Sequence, residues 1–489
     1  MKSWYTGLLP MKKLLALVRD HWIFFLLVTL AALALRLLFV FRFSLIAGDS
    51  FLYGDIARNW LAHGIYGLSD GSLVRPTLIR LPGYPAFLAA MFSLFGREHY
   101  TAVMIVQALI DTNTCLVIAA LALELMNARA ARAAYLLAAV CPFTANYAAT
   151  PLAETLAIFF TAHALYYGIR GLKAMRAAGP SLLLWIIAGL WSAAGILTRP
   201  DGILVLVPFG IALIGLLFLQ HNRRQIISAL LAFSIISVAP LVPWTIRNWR
   251  TFHVFQPLAP RYANNPGEFV ALGFNHWIKT WLVDYVAVEE IYWSVPGDKI
   301  DINDIPQRAF DSRLEYDETR SVLNDYNEQL VIGPELDRRF DRLARERIMH
   351  NPFRYFIWLP MLRIGDMWLR PRIAMLPIES RWWEFGSHPG ESWFALLWAA
   401  INLLYLLAAF RGWLNWKLGL YGGVLVGFIV LRSVFLGTLE NPEPRYVLEC
   451  FPVVLALAGG AFSREQSEIR QQGSDPNLYK EAGSVSHQL

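Results

Sequence analysis

Long hydrophobic runs separated by short polar turns dominate the chain. A helix needs about 20 apolar residues to cross a bilayer core of ~30 Å. Ten runs predict membrane-spanning helices near 22–42, 101–126, 133–150, 152–169, 182–198, 202–219, 226–243, 391–410, 418–438 and 447–463. The run 82–96 is shorter and begins with two prolines, which predicts an interfacial or re-entrant helix. The pattern therefore predicts an all-α polytopic membrane protein.

One long polar segment, residues 247–390, interrupts the hydrophobic runs and has the composition of a globular domain. It is too long for a structureless loop, so we expect an extracytoplasmic α or α/β subdomain. Its end, 353–372, mixes tryptophan and arginine with apolar residues and predicts an interfacial helix. The predicted organisation is a transmembrane catalytic module (1–246, with an outer loop at 44–100), the subdomain (247–390), C-terminal transmembrane helices (391–463) and a cytoplasmic disordered tail (464–489).

Most of the basic residues in the short turns between the runs, and those next to the two ends of the hydrophobic region, fall on one side of the predicted membrane. They are Lys12, Lys13, Arg19, Arg129, Arg132, Arg170, Lys173, Arg176, Arg223, Arg224, Arg411, Lys417 and Arg464. The positive-inside rule makes that side cytoplasmic. The same rule accounts for the net charge of +6, so the charge indicates no nucleic-acid partner. With 56% hydrophobic and 16% charged residues, the composition is also that of a membrane protein in contact with lipid.

Acidic and basic residues gather at the opposite, outer ends of the runs. Asp49 follows the first run, and Glu154 begins another. Each acid has a simpler explanation as part of a helix start, since acids favour helix N-termini. Four arginines occupy the same face, and each alone could be a headgroup anchor: Arg80, Arg199, Arg247 and Arg445. Together with the acids they indicate an anion-binding centre, because guanidinium can bind phosphate bidentately.

Sequence patterns typical of other chemistry are absent. The chain has no His-Glu-x-x-His, no Cys-x-x-Cys, no glycine-rich phosphate loop and no Gly-x-Ser-x-Gly. No metal site is therefore indicated with certainty. A divalent cation, Mg²⁺ or Mn²⁺, is optional, and Asp49 and Glu154 could share one.

Several short motifs occur in a recognisable order. They are Asp49-x-x-x-Tyr53-x-x-Ile56-Ala57, Arg80-x-Pro82-Gly83-Tyr84-Pro85, Glu154 at the start of a run, Pro243-Trp244-Thr245-Ile246-Arg247-Asn248, and Arg445-Tyr446. This order resembles the GT-C glycosyltransferases. It is most similar to the bacterial branch of the protein mannosyltransferase family, which includes the lipid A aminoarabinose transferases. Arg80 departs from that subgroup, which has a lysine near this position, and the departure puts an aminoarabinose donor in doubt.

The resemblance implies an inverting transfer of one sugar from a polyprenyl (undecaprenyl) phosphate donor to a lipid, glycan or protein acceptor. It implies a bacterial inner-membrane enzyme whose active site faces the periplasm. Carried over to this sequence, the catalytic acids are Asp49 and Glu154. The residues expected to bind the donor phosphate or the substrate are Arg247, Arg80, Tyr53, Tyr84, Arg199, Arg445 and Tyr446.

Two other functions fit part of the pattern. A lipid or solute transporter also carries polar residues in a helical bundle, but its charges lie typically at the membrane midplane. An O-antigen-type polymerase or ligase also uses outer-face arginines, and it would consume a lipid-linked oligosaccharide rather than a single-sugar donor.

Overall fold

The structure is a computed structural model that describes residues 9–46, 48–219 and 222–463, so the predicted tail at 464–489 lies outside the described residues. Within these ranges the fold is helical, with one antiparallel hairpin formed by β1 (Gly67–Asp70) and β2 (Leu73–Pro76). The helices that precede residue 253 are α1 Leu9–Asp20, α2 Trp22–Arg42, α3 Asp49–His63, α4 Gly83–Phe95, α5 Tyr100–Leu125, α6 Ala128–Ala139, α7 Pro142–Tyr147, α8 Glu154–Arg176, α9 Leu182–Thr198, α10 Leu206–Leu219, α11 Arg223–Val238 and α12 Leu241–Phe252. The later helices are α13 Leu272–Lys279, α14 Tyr285–Ala287, α15 Arg313–Gln329, α16 Pro334–His350, α17 Leu359–Leu369, α18 Pro389–Asn415, α19 Gly419–Gly437 and α20 Phe451–Gly459.

Seven helical stretches of the described chain are long and apolar enough to cross a membrane. They are Trp22–Arg42, Tyr100–Leu125, Pro200–Leu219, Arg223–Phe252, Pro389–Asn415, Gly419–Gly437 and Pro444–Phe462. They match seven of the ten predicted spans and confirm the all-α polytopic class. Helices α8 and α9 form at two other predicted positions, but neither is among the seven.

The predicted span at 133–150 is wrong as a single helix. The chain divides there into α6 and α7, and the break falls immediately before Pro142. Proline lacks a backbone N–H and disfavours the α conformation in the residue that precedes it. The hydrophobic run therefore contains two short helices, and the second of them leads directly to Glu154.

The segment 247–390 folds as helices with a hydrophobic core of its own, and it contains no strand. Its largest fully buried aromatic side chains are Trp277, Trp281 and Tyr326, and Phe340 packs with them. The segment contacts the membrane part through α17, which packs against α19. It is therefore a helical unit seated on the ends of the spans.

The outer loop between α2 and α5 contains α3, the hairpin and α4. Helix α3 ends at Gly64, which adopts the left-handed conformation (φ 67°) that favours glycine. Gly83, at the start of α4, lies so close to α9 that a Cβ atom there would come within 2.6 Å of the backbone of Leu197. The Pro82-Gly83 pair thus lets the end of the outer loop, with Arg80, pack against the end of α9, with Arg199.

Candidate active site

Arg445 joins the two acidic residues that the sequence singled out. Its Nη2 lies 3.3 Å from Asp49 Oδ2, and its Nη1 lies 3.6 Å from Glu154 Oε1. Each acid has a second arginine, because Arg80 Nη2 lies 2.6 Å from Asp49 Oδ1 and Arg199 Nη1 lies 2.7 Å from Glu154 Oε1. The structure therefore brings five of the predicted residues into one ion-paired cluster, which we call the central cluster.

Asp49 is the first residue of α3, but it does not cap the helix. The N-cap position is Gly48, which makes no side-chain cap bond, and the Asp49 carboxylate instead meets two guanidinium groups. Burial alone would raise the pKa of this carboxyl, but Arg80 and Arg445 outweigh it and hold the pKa at about 2. Asp49 is therefore ionised throughout the physiological range.

Glu154 is the first residue of α8, and its side chain is only 4% exposed. Its Oε1 is shared by Arg199 and Arg445, whereas Oε2 is buried with no hydrogen-bond partner among the described residues. An unpaired buried carboxylate oxygen is rare, because its desolvation is uncompensated. Glu154 therefore keeps one unused hydrogen-bond acceptor beside the arginines.

A second layer of charges lies beneath Arg199, and sequence reasoning missed it. Arg199 Nε lies 3.2 Å from Asp201 Oδ1 and 3.1 Å from Glu449 Oε1. Arg432 Nη2 contacts the same two acids, at 2.7 and 2.8 Å. Arg432 and Glu449 lie inside predicted spans, where an ionisable residue is costly unless it is paired. Their position within hydrophobic runs was the signal that could have found them.

The three predicted tyrosines also lie at the central cluster or next to it. The Tyr446 hydroxyl donates to Glu443, whose carboxylate also pairs with Arg445 Nε at 2.6 Å. The Arg80 guanidinium carbon lies 5.8 Å from the centre of the Tyr53 ring, and Tyr53 in turn packs edge to face on Tyr84 at 4.9 Å. The aromatic rings form an apolar wall on one side of the acids.

The hydroxyl of Tyr84 points away from this wall and into the protein. It donates to Gln107 Oε1 at 2.7 Å, and Gln107 Nε2 donates to the carbonyl oxygens of Ala148 and Thr150 at 3.2 and 2.7 Å. Tyr84 thereby links α4 to the chain just before Glu154. This contact helps to set the separation between the outer loop and α8.

The structure does not bring Arg247 into the central cluster. Its Nη1 donates to the carbonyl oxygen of Thr77 at 2.7 Å, and its Nη2 donates to that of Tyr66 at 2.8 Å. The guanidinium also lies over the ring of Trp244, 5.2 Å from its centre. Arg247 thus fastens α12 to the base of the hairpin. It is connected to the cluster through Tyr66, whose hydroxyl donates to the carbonyl oxygen of Arg80 at 2.9 Å.

The residues of the central cluster are poorly suited to a shared divalent cation. The Arg445 guanidinium stands between the Asp49 and Glu154 carboxylates, where a bridging metal would have to lie. Among residues 9–46, 48–219 and 222–463 there is no group of three or more His, Cys, Asp or Glu side chains that could hold a metal ion. Arginine supplies the positive charge at this point of the structure.

The helical fold, with a charged cluster among its helices, is similar to that of GT-C membrane enzymes. Residues 75–244 match the family described as dolichyl-phosphate-mannose-protein mannosyltransferase. This region contains Arg80, Glu154 and Arg199. The match and the fold together confirm the resemblance to GT-C glycosyltransferases of the protein mannosyltransferase family.

Two solved structures resemble the chain at low sequence identity. The oligosaccharyltransferase AglB from Archaeoglobus fulgidus, in complex with an inhibitory peptide and a dolichol-phosphate, is 12% identical and has a TM-score of 0.50. That similarity covers 96% of this chain but 53% of AglB, so the chain spans about half the length of this relative. ArnT from Cupriavidus metallidurans, bound to undecaprenyl phosphate, is 14% identical with a TM-score of 0.37, covering 90% of this chain and 77% of ArnT. No curated protein matches the sequence.

Proposed function

We propose that the chain is a membrane glycosyltransferase that moves a single sugar from a polyprenyl-phosphate donor to an acceptor hydroxyl. The acceptor belongs to a lipid, a glycan or a protein on the outer face of a bacterial cytoplasmic membrane, and the sugar is transferred with inversion. The convergence of Asp49, Glu154, Arg80, Arg199 and Arg445 carries this proposal. The match of residues 75–244 to a family named for a lipid-phosphate-linked sugar donor supports it.

The reaction forms one bond and breaks one bond at the sugar. The acceptor oxygen attacks C1 while the bond between C1 and the phosphate oxygen breaks, and the hydroxyl proton passes to a carboxylate. The polyprenyl phosphate leaves as an anion that is stable at neutral pH, so its departure requires cations rather than a general acid. Arg80 and Arg445 are the arginines that would hold this anion, because both already contact Asp49.

Asp49 is the proposed base, and the same arginines link its basicity to donor binding. A carboxylate with a pKa of about 2 attracts a proton only weakly. When the donor phosphate draws Arg80 and Arg445 toward itself, the carboxylate loses part of this stabilisation and its pKa rises. Asp49 would thus become an effective proton acceptor only while the donor is bound, with Glu154 Oε2 accepting a hydrogen bond from the acceptor.

The proposal is tested by donor consumption with purified protein in nanodiscs. Radiolabelled single-sugar polyprenyl phosphates are supplied one at a time together with a membrane extract, and the labelled product is analysed by mass spectrometry. We expect one of these donors to be consumed in a time-dependent manner. Consumption of a lipid-linked oligosaccharide alone would instead identify a polymerase or ligase, and translocation without any product would identify a transporter.

A further inference from the structure

A second charged cluster lies beside the first, at the start of the turn that ends at Arg445. At its centre is Glu440, which is 5% exposed. Its Oε1 lies 2.6 Å from Arg261 Nη2, 3.6 Å from Lys279 Nζ and 3.5 Å from the hydroxyl of Tyr262. We call Arg261, Tyr262, Lys279 and Glu440 the outer cluster.

Positive charge exceeds negative charge in the outer cluster. Arg261 and Lys279 share Glu440 as their acidic neighbour, so one carboxylate faces two cations. The buried Arg363 of α17 donates to the carbonyl oxygens of Lys279 and Gly437 and adds a third positive charge nearby. Burial lowers the pKa of Lys279, an effect expected where an ammonium group is held partly out of water.

The central cluster shows the opposite balance once its directly paired neighbours are included, because the acids then outnumber the arginines. The arginines of this larger set are Arg80, Arg199, Arg432 and Arg445, and its acids are Asp49, Glu154, Asp201, Glu443 and Glu449. Of these two groups of charges, the outer cluster is therefore the one with a surplus of positive charge. A surplus of this kind, lined by a phenol, suits a phosphate group.

An exposed apolar strip adjoins the outer cluster. Tyr355 lies beside it, with its ring centre 5.9 Å from Lys279 Nζ, and the helical turns around Tyr355 expose Phe353, Phe356, Ile357 and Met361. These turns lead into α17, which packs against the membrane span α19. A ligand that joins a phosphate to an apolar chain could place one part in the outer cluster and the other along this strip.

We propose that the outer cluster binds the phosphate head of a lipid acceptor, with the lipid chain against the exposed strip at 353–361. This proposal rests on the function proposed above, because it assigns the second substrate of that reaction. Glu440 lies three positions before Glu443, which pairs with Arg445, so the Cα atoms of the two acids lie at most about 11 Å apart. A lipid phosphate held by Arg261 and Lys279 would therefore place its head group next to the donor site.

The test measures binding with a defined probe and does not depend on activity. Dioctanoyl phosphatidic acid is added to the purified full-length protein, and bound lipid is counted by native mass spectrometry, with dioctanoylglycerol as the probe that lacks phosphate. We expect Arg261→Gln/Lys279→Gln to weaken phosphatidic acid binding about tenfold or more, as loss of charged hydrogen bonds does. Arg313→Gln/Arg338→Gln removes two charges from exposed positions of the same segment and should leave binding unchanged.

A second variant distinguishes loss of the binding site from misfolding of the protein. Glu440→Gln removes the competing carboxylate and should strengthen phosphatidic acid binding, a gain that a misfolded protein would not show.

Two results would overturn the proposal: equal binding of both probe lipids to the wild type, or no change of phosphatidic acid binding in the double variant. If the wild type binds phosphatidic acid but consumes no single-sugar donor, the proposed function fails while the lipid-phosphate site stands. If it consumes the donor but binds no phosphatidic acid, only the site fails.

Discussion

Asp49→Asn is the substitution that most directly tests the central cluster. It keeps the shape of the side chain and its ability to accept hydrogen bonds, but it removes the charge that Arg80 and Arg445 share. The helix start should survive, because Gly48 rather than Asp49 is the N-cap residue. Any large loss of turnover would therefore reflect chemistry rather than a missing cap.

The expected losses of stability and of turnover can each be given a magnitude. The pKa of Asp49 falls from 3.8 to about 2, which corresponds to roughly 2–3 kcal/mol of stabilisation of the ionised form at neutral pH. This is an upper limit for the loss of stability, since the side chain is 24% exposed and asparagine retains part of the bonding. A general base contributes typically ~10²–10⁴ in rate, so we expect turnover to fall at least a hundredfold. Donor binding should persist, because two arginines lose a competing carboxylate.

The assay measures donor binding and turnover on the same purified preparation, with folding checked by size-exclusion chromatography. Asp70→Asn, at the exposed tip of the same outer loop, is the matched control, and its turnover should stay near that of the wild type. Asp55 is unsuitable as a neutral control, because its Oδ2 accepts from the backbone N–H of Ser69 at 2.7 Å and holds the hairpin to α3. If Asp49→Asn retains more than about a tenth of wild-type turnover, the carboxylate is not the base.

Four further predictions can be checked separately. From the sequence, Arg247→Ala is predicted to raise the Michaelis constant for the donor at least tenfold. From the structure, the loss of the Arg247 bonds to two carbonyl oxygens predicts a lower thermal midpoint of unfolding. Measuring the Michaelis constant and the thermal midpoint separates phosphate binding from a role in positioning the hairpin. Because the pKa of Asp49 is lower in the folded state, the stabilisation from its carboxylate should be fully present above about pH 4 and be lost as the pH falls through 2. Acid denaturation of the wild type and of Asp49→Asn measures this difference. Donor turnover should survive EDTA treatment, since Arg445 occupies the space between the acids, and restoration of activity by Mg²⁺ or Mn²⁺ would contradict this. In a background lacking the three natural cysteines, single cysteines introduced at Ser72 and Ser321 should react with an impermeant maleimide from outside, and one at Ala177 should not. Labelling of positions 72 and 321 from opposite sides would rule out a shared outer face.

The sequence by itself determined the class of the protein and most of the central cluster. Hydrophobic runs of about 20 residues have few folded states outside a membrane, so seven of the ten predicted spans could be located from the hydrophobic pattern alone. Asp49, Glu154, Arg80, Arg199 and Arg445 were identified because charged residues at the ends of such runs are costly without a partner. The order of short motifs then indicated the family.

The tertiary structure alone decided which charges meet. Asp49 and Arg445 are 396 positions apart along the chain, and neither residue's local sequence indicates that the other is its partner. The local sequence likewise does not indicate that the Arg247 guanidinium donates to backbone carbonyl oxygens at the base of the hairpin, or that Arg432 pairs with Glu449 inside the bundle. Ion pairs depend on distances of a few ångströms between side chains, and those distances are set by how the helices pack rather than by the pattern of residues along any one of them.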